Sequence, residues 1–495
     1  MTDHTMTEQP QQGRFGSAAV NVIWALGLLM VGVVAIFSVV YLAIYAHDVL
    51  VGMSARRVLW VAGAVLAAGA VWALVIWNRG PFRSHALLVG LAAIAITRLL
   101  DIALVGAPLI SDFARYDGLA VQIAHNGPML ALVPTGYPTA LAVVYAVFGS
   151  NPVNGQLLNC VIALLTGAMV FDITRRLWGD RPAAWALWLF ALAPSQILMT
   201  GVLAAEAPYG LLVTAAIWIS LKLGSRPLLA AVCIGCLLAA SQYVRATTPV
   251  LLPAFMLIPF LAPAARLKPA AILAGVMAVV FLVCLLPVVA WNEQTRGELS
   301  ISPSYYGGWS LLVGTDSASG GQYDDSLIPQ VQGTPGTPEF DSNAQKLAIS
   351  RLEAKPLQFV GLAIRKFPRM WAPEDYGVSW TVGVTHPSNK DESVTLLLVS
   401  QAAYVAILGL AALGLWRLRR ARPGTVVVIV VIIGALAVAH TFVEIQPRYH
   451  SYVEPLLCIV AGPGVAALRI PKSRTAGTAH SDGAETREGA SHPAT

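Results

Sequence analysis

The sequence predicts an all-α polytopic membrane protein, on three observations. Hydrophobic residues make up 56% of the 495 residues and charged ones only 12%, where a soluble globular domain carries about 25% charge. The apolar residues fall in repeated runs of the length a bilayer-crossing helix needs, about 20 residues. Arg and Lys gather in alternate connections between those runs, as they do in cytoplasmic loops. The net charge of +6 is small for this length, so composition does not point to nucleic acid as a partner.

The first 20 residues are polar. The run 21–46 is longer than the apolar part of a secretory signal, about 7–15 residues, and reads as an uncleaved first span. Further runs at 57–77, 85–106, 152–174, 182–201, 207–222, 228–243, 246–263, 270–292, 395–417, 424–441 and 452–469 bring the expectation to about 12 spans. The run 136–149, "GYPTALAVVYAVFG", is too short to cross and reads as a juxtamembrane helix. With a cytoplasmic N-terminus, the internal loops hold Arg79 and Arg83, then Arg175, Arg176 and Arg181, then Lys222 and Arg226, then Arg266 and Lys268, then "RLRRAR" at 417–422. Arg56 and Arg57 are the exception, on the outer side.

This orientation puts 107–151 and 293–394 in the outer compartment. It returns the C-terminus to the cytoplasm, where 471–495 is small, polar and expected to be disordered. The five cysteines, Cys160, Cys233, Cys236, Cys284 and Cys458, all fall in apolar runs. They imply no disulfide framework, and the CxxC at 233–236 reads as small residues one helical turn apart.

The stretch "SDFARYDGLA" at 111–120 follows directly on an apolar run. A helix starting at Ser111 or Asp112 puts Tyr116 on the face of Asp112 and turns Asp117 elsewhere, so the two aspartates do not form a dyad. Phe113, Tyr116, Ala120 and Ile123 then make its apolar side. Asp112 reads from position alone either as an N-cap or as a base. Other ionisable residues fall on the same side of the membrane: Glu206 opening a span, Arg245 in the next outer turn, and His440, Glu444 and Arg448 between the last two spans. Arg98 and Asp101 lie one turn apart inside a span and read as a structural ion pair. A carboxylate base, arginines for a phosphate and an apolar bundle for a lipid tail suit sugar transfer from a lipid phosphate to a hydroxyl.

Four stretches in order, "SDFARYDGLAVQIAHNG…PTGYPTALAVVYAVFGSNPVNGQLLN", "TRRLWGDRPAAWALWLFALAPSQILMTGVLAAEAPYGLL", "LPVVAWNEQTRGELSISPSYYGGWSLLVGT" and "RYHSYVEPLL", resemble GT-C glycosyltransferases. The similar branch holds the protein O-mannosyltransferases and the lipid A aminoarabinose transferases. The resemblance runs over roughly 85–465. It implies a GT-C-like fold with juxtamembrane helices in the first large outer loop, a core over 85–292 and catalytic loop 107–151. It further implies a small outer segment at 293–394 and C-terminal membrane helices at 395–470. Residues 21–84 are then an added N-terminal helix pair.

By the same resemblance Asp112 falls on the catalytic aspartate, Glu206 on the family glutamate and Arg448 on a polar position near the donor phosphate. Arg115, Tyr116, Tyr137, Arg245 and Tyr449 stand beside these as substrate-binding candidates. The implied donor is a polyprenyl-phosphate monosaccharide, and the acceptor a protein, glycolipid or cell-wall glycan. Many relatives have Asp-Glu where this chain has Asp112–Phe113, and the aminoarabinose branch has a lysine where this chain reads "PTGYP"; sugar and acceptor stay open. Some GT-C enzymes use a divalent metal, but the first loop has no DxD, and Asp324–Asp325 reads as a solvated turn. The rival readings are a transporter of about 12 spans, a polysaccharide polymerase or ligase, and a non-catalytic scaffold.

Overall fold

The computed structural model describes residues 14–51 and 85–466, apart from 128, 130, 132, 263, 264, 386–389 and 422. Among these residues every regular element is helical. In chain order the α-helices are α1 (Arg14–Val51), α2 (Ala86–Leu104), α3 (Ser111–Asn126), α4 (Gly136–Phe148), α5 (Pro152–Trp178), α6 (Asp180–Ala191) and α7 (Pro194–Leu198). Then come α8 (Glu206–Lys222), α9 (Pro227–Val244), α10 (Leu252–Met256), α11 (Leu267–Cys284), α12 (Leu286–Arg296), α13 (Gly307–Thr315) and α14 (Pro338–Ala354). The last are α15 (Pro356–Trp371), α16 (Tyr376–Ser379), α17 (Val382–Thr385), α18 (Lys390–Leu418), α19 (Gly424–Phe442) and α20 (Glu454–Ala466).

Seven of the described helices are long and apolar enough to cross a membrane, or eight with the bent pair α6–α7. The protein is a multi-pass membrane protein. The count is lower than the dozen predicted, for particular reasons. The run 57–77 lies outside the described residues. The run 182–201 breaks by 59° before Pro194. The run 246–263 carries Pro249, Pro253 and Pro259 and forms only short helical pieces, since each proline lacks an N–H and crowds the preceding turn. The runs 207–222 and 452–469 give α8 and α20, of 17 and 13 residues, both deeply buried. Helices apolar all round belong inside a bundle. Among the described residues, seven or eight crossings are supported by length and composition.

The bundle is built by packing α6 on α5 and α20, α8 on α5 and α9, α9 on α11, and α1 on α18. α18 and α20 cross almost backbone to backbone. A Cβ on Gly414 would meet the Val460 carbonyl, and one on Gly464 the Leu410 carbonyl, the small-residue contact that lets membrane helices approach closely.

Arg98 and Asp101 do not pair as predicted; each serves the bent pair α6–α7. Arg98 donates to the carbonyls of Ala191 and Phe190 at the end of α6. Asp101 accepts from the Gly201 amide at 3.1 Å. One helix, α2, thus satisfies carbonyls exposed at the bend and an amide at the far end of the pair, which would be costly to leave bare in lipid. At the same end of the bundle, α13 and α14 build a small core of their own around Trp309, Leu312, Phe340 and Ala344.

Candidate active site

The site forms where helices begin and end. α8 starts at Glu206, α9 stops before Arg245, and the 3-10 segment Pro447–Val453 joins the α19 side to α20. The basic residues Lys222 and Arg226 lie at the other ends of α8 and α9. α3 starts as the sequence predicts, at Ser111, with Phe113, Ala120 and Ile123 buried. Its N-cap is Ile110, with no side-chain cap, so Asp112 is not turned onto its own backbone. Ser111 has φ 52°, the only positive value among the described non-glycine residues. That conformation is disfavoured for a residue with a Cβ and tends to mark functional turns.

The Asp112 carboxylate instead accepts from Arg448 at 2.9 Å. Arg448 Nε lies 3.6 Å from Glu206 Oε1. The same Glu206 oxygen accepts from Arg245 at 2.8 Å. Asp112, Arg448, Glu206 and Arg245 therefore form one alternating chain of charge drawn from four distant parts of the sequence. The Asp112 side chain is 35% exposed and the other three are between 5% and 16%. Asp112 is thus the end open to a ligand. The Glu206 carboxylate sits in the first turn of α8, where the helix dipole favours negative charge.

Aromatic rings fix the cations. Phe113, Trp380 and Tyr449 lie 5.3 to 5.6 Å from the Arg448 guanidinium carbon. Tyr449 and Tyr452 lie 4.6 and 5.4 Å from that of Arg245. Such contacts gain strength when water is excluded. Burial opposes charge on Arg448, but the Glu206 and Asp112 carboxylates outweigh it and hold the guanidinium firmly protonated. Arg245 is held charged in the same way by Glu206.

The other predicted site residues divide. Tyr116 packs edge-on to Tyr137 at 6.0 Å beside the charge chain, and burial raises its phenol pKa. Tyr449 lies between the two arginines. Tyr137 is buried with its hydroxyl committed to Asn159 at 2.8 Å, so it supports Tyr116 and does not face a ligand. Arg115 is exposed and joins none of the contacts found among the described residues. Asp117, read as turned away from Asp112, accepts from Tyr145 at 2.6 Å. A cavity of about 40 Å³ behind Glu206 touches Arg98, Gln196 and Tyr452. It holds water at most, since one water takes roughly 10–15 Å³ on this measure.

Sequence reasoning missed three parts of the surroundings. Trp380 reaches Arg448 from the short helical stretch after α15. His450 donates to the Met370 carbonyl at 2.8 Å and lies 2.7 Å from Glu374. Burial opposes its charge, but Glu374 outweighs this and raises its pKa. The carbonyl can only accept, so Nδ1 carries a proton, and the Glu374 carboxylate beside Nε2 favours a second one. Lys366 donates to the carbonyls of Gly314, Thr441 and Val443 at 2.7 to 2.9 Å. Burial pulls its pKa down to about 7, but three carbonyls need three N–H donors, which only the ammonium has. The Glu444 carboxyl is raised by burial, with its oxygens near Gln446 and Tyr306. The spacing of a lone lysine or histidine in a long connection carries no signal that it will meet carbonyls from other helices.

No group of three His, Cys, Asp or Glu able to hold a metal is found among the described residues. Asp324 caps a turn by accepting from Ser326 at 2.9 Å.

Residues 132–291, about a third of the chain, match the family model described as dolichyl-phosphate-mannose-protein mannosyltransferase. Over that stretch the chain is similar to protein mannosyltransferases. The match supports the GT-C glycosyltransferase resemblance read from the sequence. Among solved structures, the chain is similar to the oligosaccharyltransferase AglB from Archaeoglobus fulgidus in complex with an inhibitory peptide and a dolichol-phosphate. There the identity is 14% and the TM-score 0.49, over 79% of this chain and 50% of that one. The chain thus spans about half the length of that protein. It is also similar to ArnT from Cupriavidus metallidurans bound to undecaprenyl phosphate, at 14% identity and TM-score 0.36, over 76% of this chain and 77% of that one. No curated protein matches the sequence.

Proposed function

We propose that the protein transfers a monosaccharide from a polyprenyl-phosphate donor to an acceptor hydroxyl, inverting the anomeric centre, with Asp112 as general base. The observation that carries this is the charge chain Asp112–Arg448–Glu206–Arg245 at one face of an apolar bundle. Glu206 holds two guanidiniums side by side against their mutual repulsion. Once a phosphate displaces Asp112, the two guanidiniums around one carboxylate leave a patch of net positive charge suited to phosphate. The donor is a phosphodiester with one negative charge, and the departing lipid phosphate carries two. The patch therefore interacts more strongly with the transition state than with the bound donor, as catalysis requires.

In the step, the acceptor oxygen forms a bond to the anomeric carbon as the bond from that carbon to the phosphate oxygen breaks. The hydroxyl proton passes to Asp112, and the phosphate leaves with the bonding electrons. The Asp112–Arg448 pair opens first: a phosphate competing for Arg448 frees the carboxylate to take the proton. Tyr116 and Tyr449 line the approach, and 293–394 covers the site and selects the acceptor. The acceptor is a hydroxyl of a protein, glycolipid or cell-wall glycan. The loops rich in arginine put both termini in the cytoplasm and the site on the outer face. A transporter would set its polar groups at the bilayer midplane; these lie at helix ends.

The test uses purified protein in lipid nanodiscs with polyprenyl-phosphate mannose, glucose and arabinose. Membranes from cells lacking the protein supply acceptors. Release of polyprenyl phosphate with one donor is expected; no turnover with any donor overturns the reading.

A further inference from the structure

α15 presents an apolar face that nothing among the described residues covers. Leu357, Val360 and Ile364 are 85%, 53% and 69% exposed. Spaced at i, i+3 and i+7, they share one arc of the helix with Gly361 and Pro368. The opposite arc is buried: Leu362, Lys366 and Met370 face the protein. An aqueous loop helix would have the reverse pattern, with polar residues outward. Along one edge of the apolar arc stand Gln358, Arg365 and Arg369, all exposed.

Two observations identify what covers this face. It continues the lipid-facing surface of α19, where Val438 is 61% and Phe442 46% exposed. Phe359, on the inner arc of α15, packs on Phe442 with ring centroids 5.4 Å apart, so α15 lies against the end of a membrane span. The neighbouring edge is also cationic, which complements the phosphates of lipid headgroups.

We infer that α15 lies in the membrane interface on the same side as the site, its Leu357–Val360–Ile364 arc in the acyl region and its Arg365 edge among the headgroups. The connection 293–394 is then not wholly aqueous. It is pinned to the bilayer by this helix. Lys366 ties α15 to the end of α19, and the Met370 carbonyl holds His450, two residues from Arg448. The depth of α15 thus sets the height of the segment that carries Arg448. This last consequence rests on the proposed function; the membrane placement does not.

Site-directed spin labelling of the full chain tests it. With the native cysteines replaced, Leu357→Cys, Ile364→Cys and Arg365→Cys are labelled singly. The protein is placed in nanodiscs of phosphatidylethanolamine and phosphatidylglycerol. Collision with oxygen reports lipid, and collision with a water-soluble nickel chelate reports water. Labels at 357 and 364 are expected to collide with oxygen at least several-fold more than with nickel, and the label at 365 to shift toward nickel. Nickel collisions dominating at 357 and 364 would mean a water-facing helix. Low collisions with both reagents would mean a protein cover, from another part of this chain or a second copy. Either result overturns the inference. Should one labelled variant aggregate, Val360→Cys on the same arc replaces it. Loss of glycosyl transfer has no bearing on these collision ratios, so failure of this placement and of the proposed function are separable.

Discussion

Replacing Asp112 with Asn separates a base from a structural ion pair. The change keeps the side chain's size and leaves an amide oxygen to accept from Arg448, 2.9 Å away in the parent. It removes the charge and the capacity to take a proton. A positioned general base contributes about 10²–10⁴-fold in rate, or roughly 2.7–5.4 kcal/mol at 1.36 kcal/mol per tenfold. The cost to folding is far smaller. The Asp112 side chain is 35% exposed, so solvent screens its pairing, and such pairs are worth about 0–1 kcal/mol. Arg448 also keeps Glu206 at 3.6 Å. Turnover of the polyprenyl-phosphate sugar by Asp112→Asn should therefore fall at least 100-fold, with the melting temperature within about 3 °C of the parent. The assay pairs release of radiolabelled sugar with thermal unfolding of the same preparation. Turnover within about threefold of the parent would falsify the assignment of Asp112 as base. A large loss of melting temperature would instead make it a structural group.

Glu206→Gln should behave oppositely in stability. It leaves two buried guanidiniums without their shared carboxylate, a loss of about 3–5 kcal/mol, visible as a clear drop in melting temperature; an unchanged value would contradict the hub role. Arg448→Lys should lower kcat by roughly 10²–10³-fold, because a point charge cannot reach Asp112 and Glu206 together; parent-like kcat would remove Arg448 from phosphate stabilisation. The His450–Glu374 pair predicts a pH dependence. The His450 pKa is raised in the fold, so its stabilisation is complete below the unfolded value of about 6.5 and lost as pH rises through the raised folded value. Melting temperature should fall over that alkaline window in the parent and stay flatter in His450→Gln; identical profiles would refute the charged imidazole. Gly414→Val should prevent folding, since its side chain would enter the Val460 backbone; a normally eluting, stable variant would contradict the close α18–α20 crossing.

The sequence by itself determined the membrane class, the helical content and the side of the bundle on which polar chemistry gathers. These follow from hydropathy and from charge placement, which are local and additive along the chain. It also determined the start of α3 and the separation of Asp112 from Asp117, because helical periodicity is local too. Pairing was decided only in three dimensions. Arg98 and Asp101, one turn apart, go to the break and to the far end of a bent helix pair. Asp112 and Arg448, 336 positions apart, meet. Lys366 finds one carbonyl in α13 and two at the end of α19, and Trp380 closes on a guanidinium. Helix breaks went the same way, since prolines divide the apolar runs 182–201 and 246–263 that hydropathy counts whole. A charged group in a low-dielectric interior takes whatever counter-charge or carbonyl the packing brings to it, and linear spacing does not encode that meeting.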